Sequence, residues 1–212
     1  LSGLAVRTFV TLFVILDPVG LVPVFLALAD GRDAGEQRRI ARRAVLVAAG
    51  VLLAFALGGA WLLGRLGITL EAFRVAGGIL LFRIAVGMVL ARQERETPAE
   101  QEEARSRPDI SVFPLAIPII AGPGAMATIL ILVGEARAYP LGVPLVLGMT
   151  VGVLLMAYVA LRLSSLLGRL LGQTGANVVT RVLGVLLAAL AVQYVADGVR
   201  GLLLAGGRGV PV

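Results

Sequence analysis

Chemistry in this chain must come from few residues, because it contains no cysteine and no histidine. Thiolate nucleophiles, imidazole bases, disulfides and the usual zinc or haem ligands are thereby excluded. The residue best placed to act is Asp17, within Leu16-Asp17-Pro18-Val19-Gly20-Leu21-Val22-Pro23 of an apolar segment running from about Leu4 to Ala29. An aspartate at the centre of a membrane-spanning helix costs about 2.5–3.5 kcal/mol, so something must offset it. Two roles fit: contact with a cationic group or carriage of a proton, and capping of the half-helix that Pro18 opens. Pro18 and Pro23 lack amide hydrogens and would leave the carbonyls of Val14 and Val19 without helical donors, while Gly20 loosens the backbone between them. The helix is expected to break here. In hydrocarbon a break is tolerated only where the freed groups find partners in protein or in a wet cavity.

The same punctuation returns in Pro118-Ile119-Ile120-Ala121-Gly122-Pro123-Gly124, again inside an apolar run and with the same interval between prolines. Where a helix restarts after such a break, its first amides point into the gap and its dipole favours negative charge. Gly122 and Gly124 present no side chain to block an anionic group, and the Thr128 hydroxyl lies about one helical turn beyond Gly124. The carbonyls released before the breaks, together with the Asp17 carboxylate, suit an ammonium group or a coupling ion. Asp17, Gly20, Gly122, Gly124 and Thr128 are therefore the expected substrate-binding residues. Pro18, Pro23, Pro118 and Pro123 are the structural breaks. The glycine-rich gaps and their aliphatic surroundings leave room for a small neutral zwitterion and offer nothing to hold a charged side chain.

Two further echoes follow in order. Leu62-Leu63-Gly64-Arg65-Leu66 returns as Leu166-Leu167-Gly168-Arg169-Leu170, and Arg74-Val75-Ala76-Gly77 as Arg181-Val182-Leu183-Gly184. Their offsets, by subtraction of residue numbers from Pro18 onward, grow from 100 to 104 to 107, as duplicated halves with unequal loops require.

The elements that must position these residues are membrane spans. The 212 residues are 58% hydrophobic with a mean hydropathy of +0.97, far above the apolar share of a soluble domain. At about 20 apolar residues per span, the length accommodates roughly six. All nineteen basic residues are arginine, which makes the net charge +6. Most flank apolar segments, so membrane topology explains them better than nucleic-acid binding does. Arg7 and Ala27-Leu28-Ala29 imitate a secretion signal around the first segment, but the internal Asp-Pro and the repeat mark it as a structural span.

Spans are expected at about Leu4–Ala29, Ala44–Leu63, Ala72–Leu90, Ser111–Val133, Pro144–Leu167 and Val178–Leu204, with residues Asp30–Arg43 forming a polar connection. Arginines cluster at the connections after the first, third and fifth spans, which places those connections in the cytoplasm and both termini outside. Three spans per half is an odd number, so the second half enters the membrane inverted. The organisation is a first three-helix repeat over residues 1–92, a cytoplasmic linker over 93–110, and a second, inverted repeat over 111–212. The fold class is thus an all-α polytopic membrane protein with its first and fourth helices broken near the midplane, an arrangement that in secondary transporters brings the two breaks together. Among the remaining polar residues, Asp197 reads as an interfacial group or a partner of Arg200, and Asn177, Thr180 and Gln193 as polar contacts between helices. Arg74 belongs near a membrane edge, while Arg83 sits deeper and needs snorkelling or a partner.

Together the Asp17–Pro23 stretch, Phe73-Arg74-Val75-Ala76-Gly77-Gly78-Ile79-Leu80, the Pro114–Ala125 block and Thr180-Arg181-Val182-Leu183-Gly184 resemble the MarC family, which includes SnatA-type amino acid transporters. The resemblance covers nearly the whole chain. It implies a six-span inner-membrane protein and, for SnatA-like members, transport of small neutral amino acids such as glycine and alanine. The family often has Asn where this chain has Asp17. The expected function is secondary transport by alternating access, coupled to H+ or Na+, with no cofactor, no metal and no enzymatic activity; the partners are the bilayer and the amino acid. Three alternatives differ in what they require: a channel needs a polar pore, a membrane scaffold has no cavity at the breaks, and an intramembrane aspartyl protease needs Asp17 and Asp197 face to face.

Overall fold

The computed structural model describes residues 2–90 and 110–206. These residues form eight helical segments: α1 (Ser2–Leu16), α2 (Leu21–Leu28), α3 (Ala34–Arg65), α4 (Leu70–Val89), a loosely wound α5 (Ser111–Ile120), α6 (Pro123–Ala136), α7 (Gly142–Arg162) and α8 (Ser164–Gly206). Five helices or helix pairs are long and apolar enough to cross a membrane, the first being α1 with α2. A sixth is counted when α5 and α6, bent by 54° at their junction, are taken as one span. The linker expected over 93–110 lies, apart from Ile110, outside the described residues.

In lipid the outer surface is apolar too, so hydropathy does not tell which face of a helix points inward; residue size does. The buried stripe of α3 is Ala41, Ala44, Ala48, Leu52, Ala56, Gly59 and Leu63, at the three- and four-residue spacing of one helical face. Large apolar residues such as Leu46, Leu57 and Trp61 stay exposed on the same helix and form the surface that lipid would cover. Gly78 packs on Ala191 and Val195, Gly184 on Ala85 and Met88, and Gly198 on Glu71 and Val75. Residue numbers fall along α8 as they rise along α4, so these two helices run antiparallel with their backbones close together. The broken spans lie between the flanking elements: α1 contacts α6, α7 and α8, while α6 contacts α3, α4 and α7.

Three elements differ from the sequence expectation. The polar connection expected over Asp30–Arg43 is short, because α3 already begins at Ala34. The Asp33 carboxylate accepts the backbone N–H groups of Gly35 and Glu36 at 2.7 and 2.9 Å, capping the helix and extending it through the arginine-rich stretch. The sixth span begins within a longer element. Gly172, at φ 59° and ψ 178°, divides α8 after a short helix that carries the Leu166–Leu170 echo, in a conformation essentially reserved for glycine. In the fourth segment the disruption starts before Pro118. Phe113 and Ile117 are extended, at φ −125° and −131°, because a following proline ring pushes its predecessor out of the helical region. The backbone closes instead through wider bonds, from Leu115 N–H to the Ile110 carbonyl and from Ala121 N–H to the Ala116 carbonyl.

Candidate functional site

The first span breaks at Asp17, which takes a positive φ of 42°. Aspartate is among the few residues that visit this region, and there it costs of order 1–3 kcal/mol unless its surroundings hold it. Here the hold is explicit. Oδ1 accepts the Gly20 N–H at 3.0 Å, the Asp17 carbonyl accepts the Leu21 N–H at 3.0 Å, and Oδ2 accepts the Thr180 hydroxyl of α8 at 3.0 Å. The side chain is almost wholly buried. Gly20 is required by the same packing, since a Cβ there would collide with the Asp17 carboxylate and come within 2.8 Å of the Thr180 hydroxyl. Pro23 stands inside the first turn of α2, where a missing N–H costs little.

The second break lies at Ala121–Gly122, and Pro123 opens α6 as its first residue. Its N-cap residue, Gly122, has no side chain with which to cap this start. The two helix restarts therefore differ: at α2 the first amides are taken up by Asp17 and Val19, while at α6 no side-chain acceptor for them is found among the described residues. A Cβ on Gly122 would strike the Pro118 carbonyl oxygen, and one on Gly124 would reach the tip of Ile84 at 2.5 Å.

Both breaks open on one cavity of about 340 Å³, at the small end of the range for small-molecule sites. Asp17, Gly20 and Pro23 line it from the first span, and Pro118, Gly122, Pro123 and Gly124 from the fourth. Arg83 of α4 and Asn177 and Thr180 of α8 supply its other polar side chains. The lining thus carries one carboxylate, one guanidinium, one amide and one hydroxyl in an aliphatic wall, with a helix N-terminus opening into it. That set matches a small molecule bearing one positive and one negative group.

Thr128 is the exception among the expected binding residues. It is fully buried on α6 but is not part of the cavity wall, because the turn that separates it from Gly124 carries it along the helix and away from the break. Pro18 shapes the turn without lining the cavity. Conversely, Arg83, Asn177 and Thr180 were not expected to be site residues. The available signal was a polar group inside an apolar run, which marks contact with another helix but not which one. The Gln193 amide donates to Asp197 at 2.8 Å within α8, so Asp197 pairs there. Asp17 is bonded to α8 at Thr180, and Asp197 lies 17 residues further along that helix, about 25 Å at 1.5 Å per residue. The facing pair of carboxylates that proteolysis requires is therefore not formed.

The description "MarC family integral membrane protein" matches residues 3–203. The chain is 39% identical to a UPF0056 membrane protein of Methanocaldococcus jannaschii over 206 residues, covering 94% of this chain and 97% of that one. It is 35% identical to the UPF0056 membrane protein YvbG of Bacillus subtilis, covering 93% and 94% of the two chains. It is 33% identical to YhcE of Escherichia coli, covering 92% of each. No solved structure matches the chain. With its apolar spans and this near full-length similarity, the chain belongs to the MarC family of multi-pass integral membrane proteins.

Proposed function

We propose that the protein is a secondary transporter of small neutral amino acids, glycine and alanine foremost, working by alternating access. One observation carries the reading: two helix breaks about 100 residues apart in sequence line the same small cavity, whose charged side chains are one aspartate and one arginine. A zwitterion satisfies both ends of such a site, its carboxylate toward the uncapped start of α6 and its ammonium toward Asp17. Oδ1 of Asp17 accepts the Gly20 N–H and Oδ2 the Thr180 hydroxyl, and a carboxylate oxygen can accept more than one hydrogen bond. The aliphatic wall and small volume favour a hydrogen or methyl side chain over a larger one.

The antiparallel packing of α4 on α8 supports oppositely oriented halves, the arrangement in which a midplane site is reached from either side by rocking. With both termini outside and the arginine-rich start of α3 in the cytoplasm, the protein resides in the inner membrane. The cavity argues against a purely structural scaffold, and its compactness against an open channel. The test is uptake of radiolabelled glycine and alanine into proteoliposomes, with proton and sodium gradients imposed separately. Saturable uptake of both, accelerated by one gradient, is expected; uptake no faster than in protein-free vesicles would reject the reading.

A further inference from the structure

On the side of Gly124 away from Asp17, the helices bury polar groups that the cavity does not use. The hydroxyls of Thr8, Thr11, Thr128 and Tyr194 lie in fully buried residues, and none reaches a hydrogen-bond partner among the described residues. An unpaired buried hydroxyl is destabilising. A helical threonine usually avoids this by bonding the carbonyl four residues back, as Thr150 does to Val146 at 2.8 Å. These three threonines do not.

Their placement is ordered. Gly124 of α6 packs on Ile15 of α1, and Arg7 of α1 reaches Glu135 of α6, so the two helices run antiparallel along a common seam. Thr11 lies four residues before Ile15 and Thr128 four residues after Gly124, which sets both one turn further along that seam at the same level. Tyr194 of α8 closes its flank, with the Arg7 guanidinium 5.8 Å from its ring centre and Thr11 beside its hydroxyl but short of hydrogen-bond geometry. The seam ends in an ion cluster. The Glu135 oxygens lie 3.2 Å from Arg7 and 3.2 Å from Arg74, joining α1, α6 and α4. Toward the cavity, Ile15, Leu81 and Ile84 form an apolar collar around Gly124.

We propose that this seam is the closed half of the solute path, opened when α1 and α6 part, with Glu135 between Arg7 and Arg74 as its gate. The proposal rests on the transport reading and adds the second route that alternating access requires. Two opposing terms make the seam able to switch: the ion cluster holds it shut, while the unpaired hydroxyls gain hydrogen bonds when it opens to water or to a passing zwitterion.

Because the chain has no cysteine, Thr11→Cys and Thr128→Cys each place a single thiol on the seam of the full protein in proteoliposomes. Modification by a membrane-impermeant thiol reagent is expected to be slow with Glu135 intact and several-fold faster when Glu135→Gln is added. Unchanged rates at both positions would overturn the proposal; if Glu135→Gln does not insert, Arg74→Gln must give the same acceleration. In a second measurement, Thr11→Val and Thr128→Val are expected to raise Tm, by removing an unpaired hydroxyl, and to slow alanine flux roughly two- to tenfold, the worth of one hydrogen bond. Raised Tm with unaltered flux would also overturn it. Labelling needs no transported solute, so absent alanine uptake rejects the transport reading alone, whereas normal uptake with unchanged labelling rejects the gate alone.

Discussion

Asp17 and Thr180, 163 residues apart in the chain, are joined by a 3.0 Å hydrogen bond from the threonine hydroxyl to the carboxylate. This bond ties the break in the first span to α8, and the same carboxylate holds the Gly20 amide that starts α2. The residue that makes the break possible is thus also a wall of the cavity. Capping and ligand contact, both open to Asp17 on sequence grounds, are compatible in this geometry.

Replacing Asp17 separates the two roles. Asp17→Ala removes the acceptor for both Gly20 and Thr180 and is expected to destabilise the protein by about 1–3 kcal/mol, read as a lower Tm in detergent. Asp17→Asn keeps an oxygen for Gly20 and an amide for Thr180, so its cost should stay below about 1 kcal/mol. Losing the charge should nevertheless weaken alanine binding about tenfold. Ion-gradient dependence of uptake should survive Asp17→Asn, since both oxygens already serve the fold; its loss would make Asp17 the coupling group.

Glycine substitutions at the second break should differ from one another. A Cβ at Gly122 meets the fixed Pro118 carbonyl, whereas at Gly124 it meets the movable end of Ile84. Gly122→Ala is therefore expected to lower stability by about 1–3 kcal/mol. Gly124→Ala should leave Tm nearly unchanged while raising the KM for alanine. Equal effects on Tm would contradict this distinction.

Acid should loosen the start of α3. The Gly35 and Glu36 amides bonded to Asp33 hold its carboxyl below the ordinary value of 3.8, so the cap is in place at neutral pH and is lost as pH falls through that lowered pKa. Hydrogen exchange at Gly35 and Glu36, corrected for its intrinsic pH dependence, should show protection falling only below about pH 4. Asp33→Ala should remove the pH dependence along with the cap.

How much of this was legible in sequence depended on whether a residue acts on its own backbone or on a distant one. Pro18, Pro23, Pro118 and Pro123 announce broken helices because a missing amide is a local property, and the structure breaks both segments. The arginine-rich stretch expected as a polar connection is helical from Ala34 because the Asp33 carboxylate caps it, and arginine is itself a good helix former. Thr128 was placed at the site by proximity in sequence to Gly124, whereas one helical turn takes it out of the cavity wall. Asn177, Thr180 and Arg83 reach the cavity through the packing of α4 and α8 against the breaks. Nothing in a uniformly apolar helix specifies that register before the partner helix is known.

Whether the cavity recognises both charges of one small molecule can be read from equilibrium binding to the purified protein. Alanine, propionate and ethylamine share a small aliphatic body and differ in carrying both charges, only the carboxylate, or only the ammonium. Saturable binding of alanine is expected, with at least tenfold weaker binding of the other two and loss of alanine binding in Gly124→Leu. Equal affinity for all three, or alanine binding unaltered by filling Gly124, would contradict it.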